Sequence, residues 1–160
     1  MKDKFEAVYP ADPSSLKLRG FWTATVRGAD GNIKQQVAGT NVVTTAGKEF
    51  LASFLVSAAA AASTFTCKYI AVGTGSTSEA VGDTALVAEV SRHTGTVSHN
   101  GTGIYQVVAT FGTNSAVGTI YEYGIFSSSS AGTLLARDTE AVVNVSATDT
   151  LTVTAQVTVS

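Results

Sequence analysis

One cysteine, two prolines, one tryptophan and little charge: what this 160-residue chain has in short supply bounds what it can be. A single Cys67 excludes an intramolecular disulfide and a cysteine-rich zinc site. Nothing in the chain calls for an oxidising compartment. Charged residues make up 14% of it, against about 25% in ordinary globular proteins, while apolar residues reach 44%. Ten basic residues against twelve acidic ones leave a net charge of −2, so no basic surface is available for a sequence-independent grip on nucleic acid. The longest apolar run, Phe50 to Ala62, is broken by Ser53 and Ser57 and falls short of the roughly 20 residues that a membrane helix needs. The first six residues mix charges around one Phe and lack the apolar stretch of a secretory signal. These features lead us to expect a protein made in a cytoplasm, binding neither nucleic acid nor membrane.

What the chain does contain is β-forming sequence. Thr, Ser, Gly and Asn must supply the polar surface that charge does not, a composition suited to exposed sheet faces and to proteins that bury surface against neighbours. The organising stretch is Ile120-Tyr121-Glu122-Tyr123-Gly124-Ile125-Phe126, followed after Ser127 to Gly132 by Thr133-Leu134-Leu135-Ala136-Arg137. Two such runs around a Ser/Gly segment predict a hairpin with a longer loop. A second hairpin is predicted at 20–39, where Trp22, Ala24 and Val26 alternate with Phe21, Thr23, Thr25 and Arg27 ahead of an Asp30-Gly31 turn. Trp22 is expected to anchor the core there. A third hairpin is expected from Ser91–Val97 and Ile104–Phe111 around Asn100-Gly101. The cleanest alternation lies at the end: Leu151, Val153, Ala155, Val157 and Val159 on one face, Thr150, Thr152, Thr154, Gln156 and Thr158 on the other. Phe65–Val72 reads as a strand buried on both faces, between the helix and the opposite sheet. The state of 85–90 is left open.

One helix is expected, from about 46 to 60. Thr44 or Thr45 can cap it, and Phe50, Leu51, Phe54 and Leu55 form an apolar stripe at helical spacing. Residues 1–18 hold Pro10 and Pro13 and no sustained period, which predicts an extended arm, either loose or docked on a neighbouring subunit. Without βαβ alternation, the expected architecture is mainly β: an antiparallel β-sandwich of about eight or nine strands with one packed helix, spanning 19–160 as a single domain.

No catalytic pattern stands out. Gly73-Thr74-Gly75-Ser76-Thr77 lacks the Lys of a phosphate loop and the third Gly of a dinucleotide fingerprint, and reads as a tight turn after a buried strand. His93 and His99 are near enough in sequence to share a site, yet they read better as two surface histidines. Serines abound, but no Gly-x-Ser-x-Gly elbow occurs. Glycosidase chemistry needs a carboxylate pair; the candidates are Glu122, Asp83, Glu89, Asp138 and Glu140. Glu122 is better explained by a structural partner such as Arg137 or Arg92. A metal site from Asp138, Glu140 and Asp149 is a weaker idea. The expectation is therefore no enzyme, no catalytic or metal residues and no cofactor.

The ordered blocks Asn41–Lys48, Ile70–Gly75, Gly82–Leu86 with Glu89, Ile120–Phe126, Thr133–Arg137 and Asp149–Val153 resemble a family of small tailed-bacteriophage virion proteins. The resemblance covers about residues 40 to 160 and is weaker before that. It implies a virion structural protein without fixing which part; the small single domain, the free arm and the missing chemistry point to a capsid decoration (cement) protein. Such a protein would be a homo-oligomer that binds the major capsid protein, or other virion proteins, through its arm and sheet edges. A tail, baseplate or tail-fibre subunit is the alternative. A third class, a carbohydrate-binding or hydrolytic module on the virion, would call for exposed aromatics such as Trp22, Tyr105 or Tyr121, or a carboxylate pair. The C-terminal strand, Leu151 to Val159, is a candidate for strand addition to a neighbour.

Overall fold

The computed structural model describes residues 17–56 and 67–160. The predicted hairpin at 20–39 forms as β1 (Leu18–Arg27) and β2 (Ile33–Val43), turning where Gly31 takes a φ of 79° that side chains rarely adopt. Leu18, counted above with the arm, is already the first residue of β1, and Lys17 exchanges backbone hydrogen bonds with Ser160. The rest of the arm lies outside the described residues.

The helix α1 (Thr45–Val56) is capped by Thr44, whose Oγ1 accepts from the Gly47 N–H at 2.9 Å while its hydroxyl donates to the Leu134 carbonyl. Its Phe50 and Leu51 pack on the core; Phe54 and Leu55 lie outside the residues whose side chains are described, as does the expected extension to residue 60. Gly47 faces β9 (Leu134–Asp138) so closely that a Cβ there would stand 2.3 Å from the Leu135 carbonyl oxygen. Helix propensity favours Ala over Gly by about 1 kcal/mol, but this contact must dominate. Gly47→Ala should destabilise the protein by about 2 kcal/mol, seen as a lower urea midpoint at unchanged slope.

The remaining strands are β3 (Tyr69–Gly73), β4 (Glu89–Thr94), β5 (Thr96–His99), β6 (Ile104–Phe111), β7 (Gly118–Ile120), β8 (Glu122–Phe126), β10 (Val143–Val145) and β11 (Thr150–Val159). Nine of them form one antiparallel sheet in the order β4-β3-β8-β9-β2-β1-β11-β6-β5, and β7 pairs with β10 as a separate ribbon. The two ends of that order, β4 and β5, are consecutive in sequence and joined only by Gly95. The sheet therefore folds round on itself into a sandwich. One layer is β2-β1-β11-β6-β5 and the other β4-β3-β8-β9, with the end of β2 (Val42, Val43) passing across to pair with β9. Mainly β architecture with one helix among the described residues is as expected.

Three local readings change. Ser91–Val97 is not one arm of a hairpin: β4 pairs with β3 and only β5 pairs with β6, the corner falling at Gly95. A Cβ on Gly95 would lie 2.4 Å from Val107 Cγ2, so a glycine fits this tight corner. The strand expected from Phe65 begins at Tyr69; Phe65 and Thr66 lie outside the described residues. And β11 runs between β1 and β6 along nearly its whole length, so its edges are already paired and strand addition at 151–159 has no free edge to use.

The core lies between the layers. Trp22, Ala24 and Val26 of β1, Val107, Ala109 and Phe111 of β6, and Leu151, Val153 and Ala155 of β11 face Ile70, Val72, Tyr123 and Ile125 of the opposite layer. Trp22 is fully buried, as an anchor should be, and its ring centroid stands 5.8 Å from that of Tyr123. Val159 is the exception to the alternation, being exposed at the end of β11. The outer face of β3, β8 and β9 carries a smaller cluster, Ala71, Phe126 and Leu134, covered by Leu86. The cover on Ala71 thus comes from the segment between β3 and β4 rather than from the helix.

Candidate functional site

The segment 74–88 crosses the outer layer without helix or strand, and a buried charged network holds it there. Glu122 is fully buried where β8 begins. Its carboxylate accepts from the backbone N–H groups of Gly75 (3.1 Å), Val87 (2.8 Å) and Ala88 (2.6 Å), and from Arg137 Nε (3.2 Å) and Nη2 (2.8 Å). Arg137, on the adjacent β9, is equally buried. It donates to Asp83 Oδ2 at 2.9 Å and to the Thr77 and Ser78 carbonyls. Asp83 in turn accepts from the Ala80 N–H. A buried carboxylate needs this many partners to offset the loss of water.

The glycine-rich turn is therefore an anion cradle whose anion is internal. A Cβ on Gly73 or Gly75 would come within 2.5 or 2.6 Å of Glu122 Oε1. The turn after a buried strand is as read from the sequence, and its N–H of Gly75 is already committed to Glu122. The Glu122–Arg137 pair is the structural partnership expected there. Arg92, the other candidate partner, instead binds Glu89 (Nη2–Oε2 2.6 Å), stacks on Phe126 and donates to the Ser128 and Ala131 carbonyls of the β8–β9 loop.

Among the Thr, Ser and Ala side chains that the segment 74–88 exposes stand larger apolar ones. Val81, Val87 and Val90 are 56%, 61% and 44% exposed, on or just beyond the segment that Glu122 and Arg137 fix from within. Val81 is further tied by its carbonyl to the Thr45 N–H. Three valines presented on a held backbone lose little entropy when covered, which is the condition for a contact surface.

The other candidate carboxylates disperse. Asp138 is buried beside Tyr123. Its Oδ1 accepts from the Glu140 N–H, while its Oδ2 and the Tyr123 hydroxyl have no hydrogen-bond partner among the described residues. Burial, aided by the negative charges of Glu79 and Glu140, pushes the Asp138 carboxyl up to about 6, and burial likewise raises Tyr123. Asp149 is held elsewhere, by the Ser146 N–H and by Lys34 Nζ at 2.9 Å, which bring it down to about 2. Lys34 and Thr40 lie at opposite ends of β2, the first bound to Asp149 and the second to Glu140, so the structure does not bring Asp138, Glu140 and Asp149 together. No group of three His, Cys, Asp or Glu side chains placed to hold a metal ion occurs among the described residues. Glu122 and Asp83 do meet, but through Arg137, with Glu122 sealed from solvent; that is not a glycosidase pair.

Trp22 is buried, and the hydroxyl of the half-buried Tyr105 is bound to the Cys67 carbonyl, so neither offers the exposed ring that a carbohydrate module would use. Cys67 itself is buried, its thiol raised to about 12 by desolvation. A groove of about 470 Å³ between β2, β7 and β10, lined by Lys34, Gln35, Thr119, Asn144 and Asp149, carried no sequence signal. Its polar groups bind one another: Gln35 bridges the Val142 carbonyl and the Asn144 N–H, and Thr119 binds Asn144. His93 and His99 do not share a site. They stand on either side of the Gly95 corner, and His93 is half-buried and hydrogen-bonded, not a free surface residue.

Comparison with family models, with curated proteins and with solved structures finds no match for this chain.

Proposed function

We propose that this protein is a bacteriophage virion structural subunit, and specifically a capsid decoration protein that binds the shell and reinforces it. One observation carries the reading: the segment 74–88, locked from inside by a buried carboxylate, presents Val81 and Val87 outward, with Val90 exposed just beyond it at the start of β4. That arrangement suits a preformed contact surface. Low charge and the resemblance of residues 40–160 to small virion proteins support the same reading. The major capsid protein is the proposed partner, and a second copy of the chain the proposed neighbour in a closed oligomer.

The test is stoichiometry. Quantitative mass spectrometry of purified virions should give hundreds of copies, in simple ratio to the major capsid protein. Six to a few dozen copies would assign the protein to neck, baseplate or fibres instead, and absence from virions would remove the whole reading. Val87→Asp, which places a charge on the exposed patch, should reduce capsid-bound copies at least tenfold while leaving the melting temperature within about 1–2 °C of wild type.

A further inference from the structure

Where β4 passes β6 the layers are joined by a side chain. His93 of β4 places Nδ1 3.2 Å from the Thr110 carbonyl oxygen of β6 and Nε2 2.9 Å from Ser115 Oγ. A carbonyl oxygen only accepts, so Nδ1 carries the proton. In the neutral ring Nε2 is then the acceptor, and the Ser115 hydroxyl donates to it. The imidazole is further fixed against the Phe111 ring, with centroids 4.5 Å apart. This is the geometry of an activated serine: nucleophile on base, and base oriented by a third group, here a backbone carbonyl in place of a carboxylate.

Ser115 stands in a half-exposed turn, directly after Asn114, whose φ of 60° lies in the left-handed region. Two kinds of donor are close in the chain or in space. Ser91 Oγ lies 3.2 Å from Ser115 Oγ, and the N–H groups of Ala116 and Val117 have no acceptor among the described residues. The residue following a nucleophile is a common source of oxyanion stabilisation. No sequence motif marks the pair, because its members are 22 residues apart on different elements.

We propose that Ser115 and His93 form a nucleophile–base pair that cleaves small acyl esters, an activity separate from the structural role. Ser115 Oγ attacks the ester carbonyl carbon as its proton passes to His93 Nε2. The C–O bond to the alcohol then breaks, and the proton on Nε2 goes to the leaving oxygen, giving acyl-Ser115. A water molecule attacks that ester, His93 takes and returns its proton, and the carboxylic acid leaves with Ser115 regenerated. The half-exposed turn suits a short acyl group such as acetyl.

The experiment is to incubate the full-length protein with p-nitrophenyl acetate, follow release of p-nitrophenolate, and locate acetyl groups by peptide mass spectrometry. Acetyl on Ser115 is expected, with release lost in Ser115→Ala and lowered roughly hundredfold in His93→Gln. Ser115 is half-exposed and its alanine variant should fold, which a melting curve checks; Ser91→Ala should keep acylation at Ser115 at a lower rate. Acetyl found only on lysines or the N-terminus, or Ser115 acylated equally fast in His93→Gln, would overturn the proposal.

Discussion

Glu122→Ala should cost about 3–5 kcal/mol, because it leaves the Arg137 guanidinium buried without its main counter-charge. It also strips the acceptor from the N–H groups of Gly75, Val87 and Ala88. A domain of this size has a total stability of only about 5–15 kcal/mol. The variant should therefore melt far below wild type or fail to accumulate. The location of the damage distinguishes this account from ordinary loss of packing. In the milder Glu122→Gln, amide exchange should accelerate first across 74–88 while β1 and β11 stay protected. Uniform loss of protection would mean that Glu122 does not hold the segment. Replacing both Glu122 and Arg137 with methionine should cost less than the sum of the two single changes, since no buried charge is then stranded.

Only half of this network has a signature in the sequence. Glu122 and Arg137 were nameable as partners, because the hairpin expected there forms as β8 and β9 and brings them to adjacent strands, although Ile120 at the head of that run pairs with β10 instead. The other half of the network is main chain: three N–H groups and the carbonyls of Thr77 and Ser78. Backbone groups have no residue identity to read. The alternations in β1 and β11 were legible because each has one face on the core and the other wetter, so polarity repeats every second residue. The corner at Gly95 was not, because strand-forming residues continue on both sides and the break takes one residue. The place of β11 was also hidden: an alternating strand looks the same whether its edges are free or paired, and only the register with β1 and β6 decides it. Ser115 and His93 meet for the same reason, through the passage of β4 beside β6.

Asp138→Asn should stabilise the protein at neutral pH. The wild-type carboxyl is pushed up to about 6 by burial, against 3.8 ordinarily. Between about pH 4 and pH 6 the folded chain therefore keeps a proton that the unfolded chain releases, so stability falls as pH rises through that window. Above about pH 6 the loss is complete, at about 3 kcal/mol for a shift of about two units. Asparagine keeps an acceptor for the Glu140 N–H and carries no charge to desolvate, and its amide stands close to the unpartnered Tyr123 hydroxyl. The variant should gain about 2 kcal/mol at pH 7, and its stability should be flat between pH 4 and 6 where wild type declines. Asp149 acts in the opposite sense. Held at about 2 by Ser146 and Lys34, it contributes above about pH 4 and loses that contribution as pH falls toward 2. Wild type should thus be most stable near pH 4–5, with the acid side removed by Asp149→Asn and the neutral side by Asp138→Asn. Urea midpoints from pH 2 to 8 for the three proteins would test both assignments. A neutral-side decline that persists in Asp138→Asn would mean that another group titrates there.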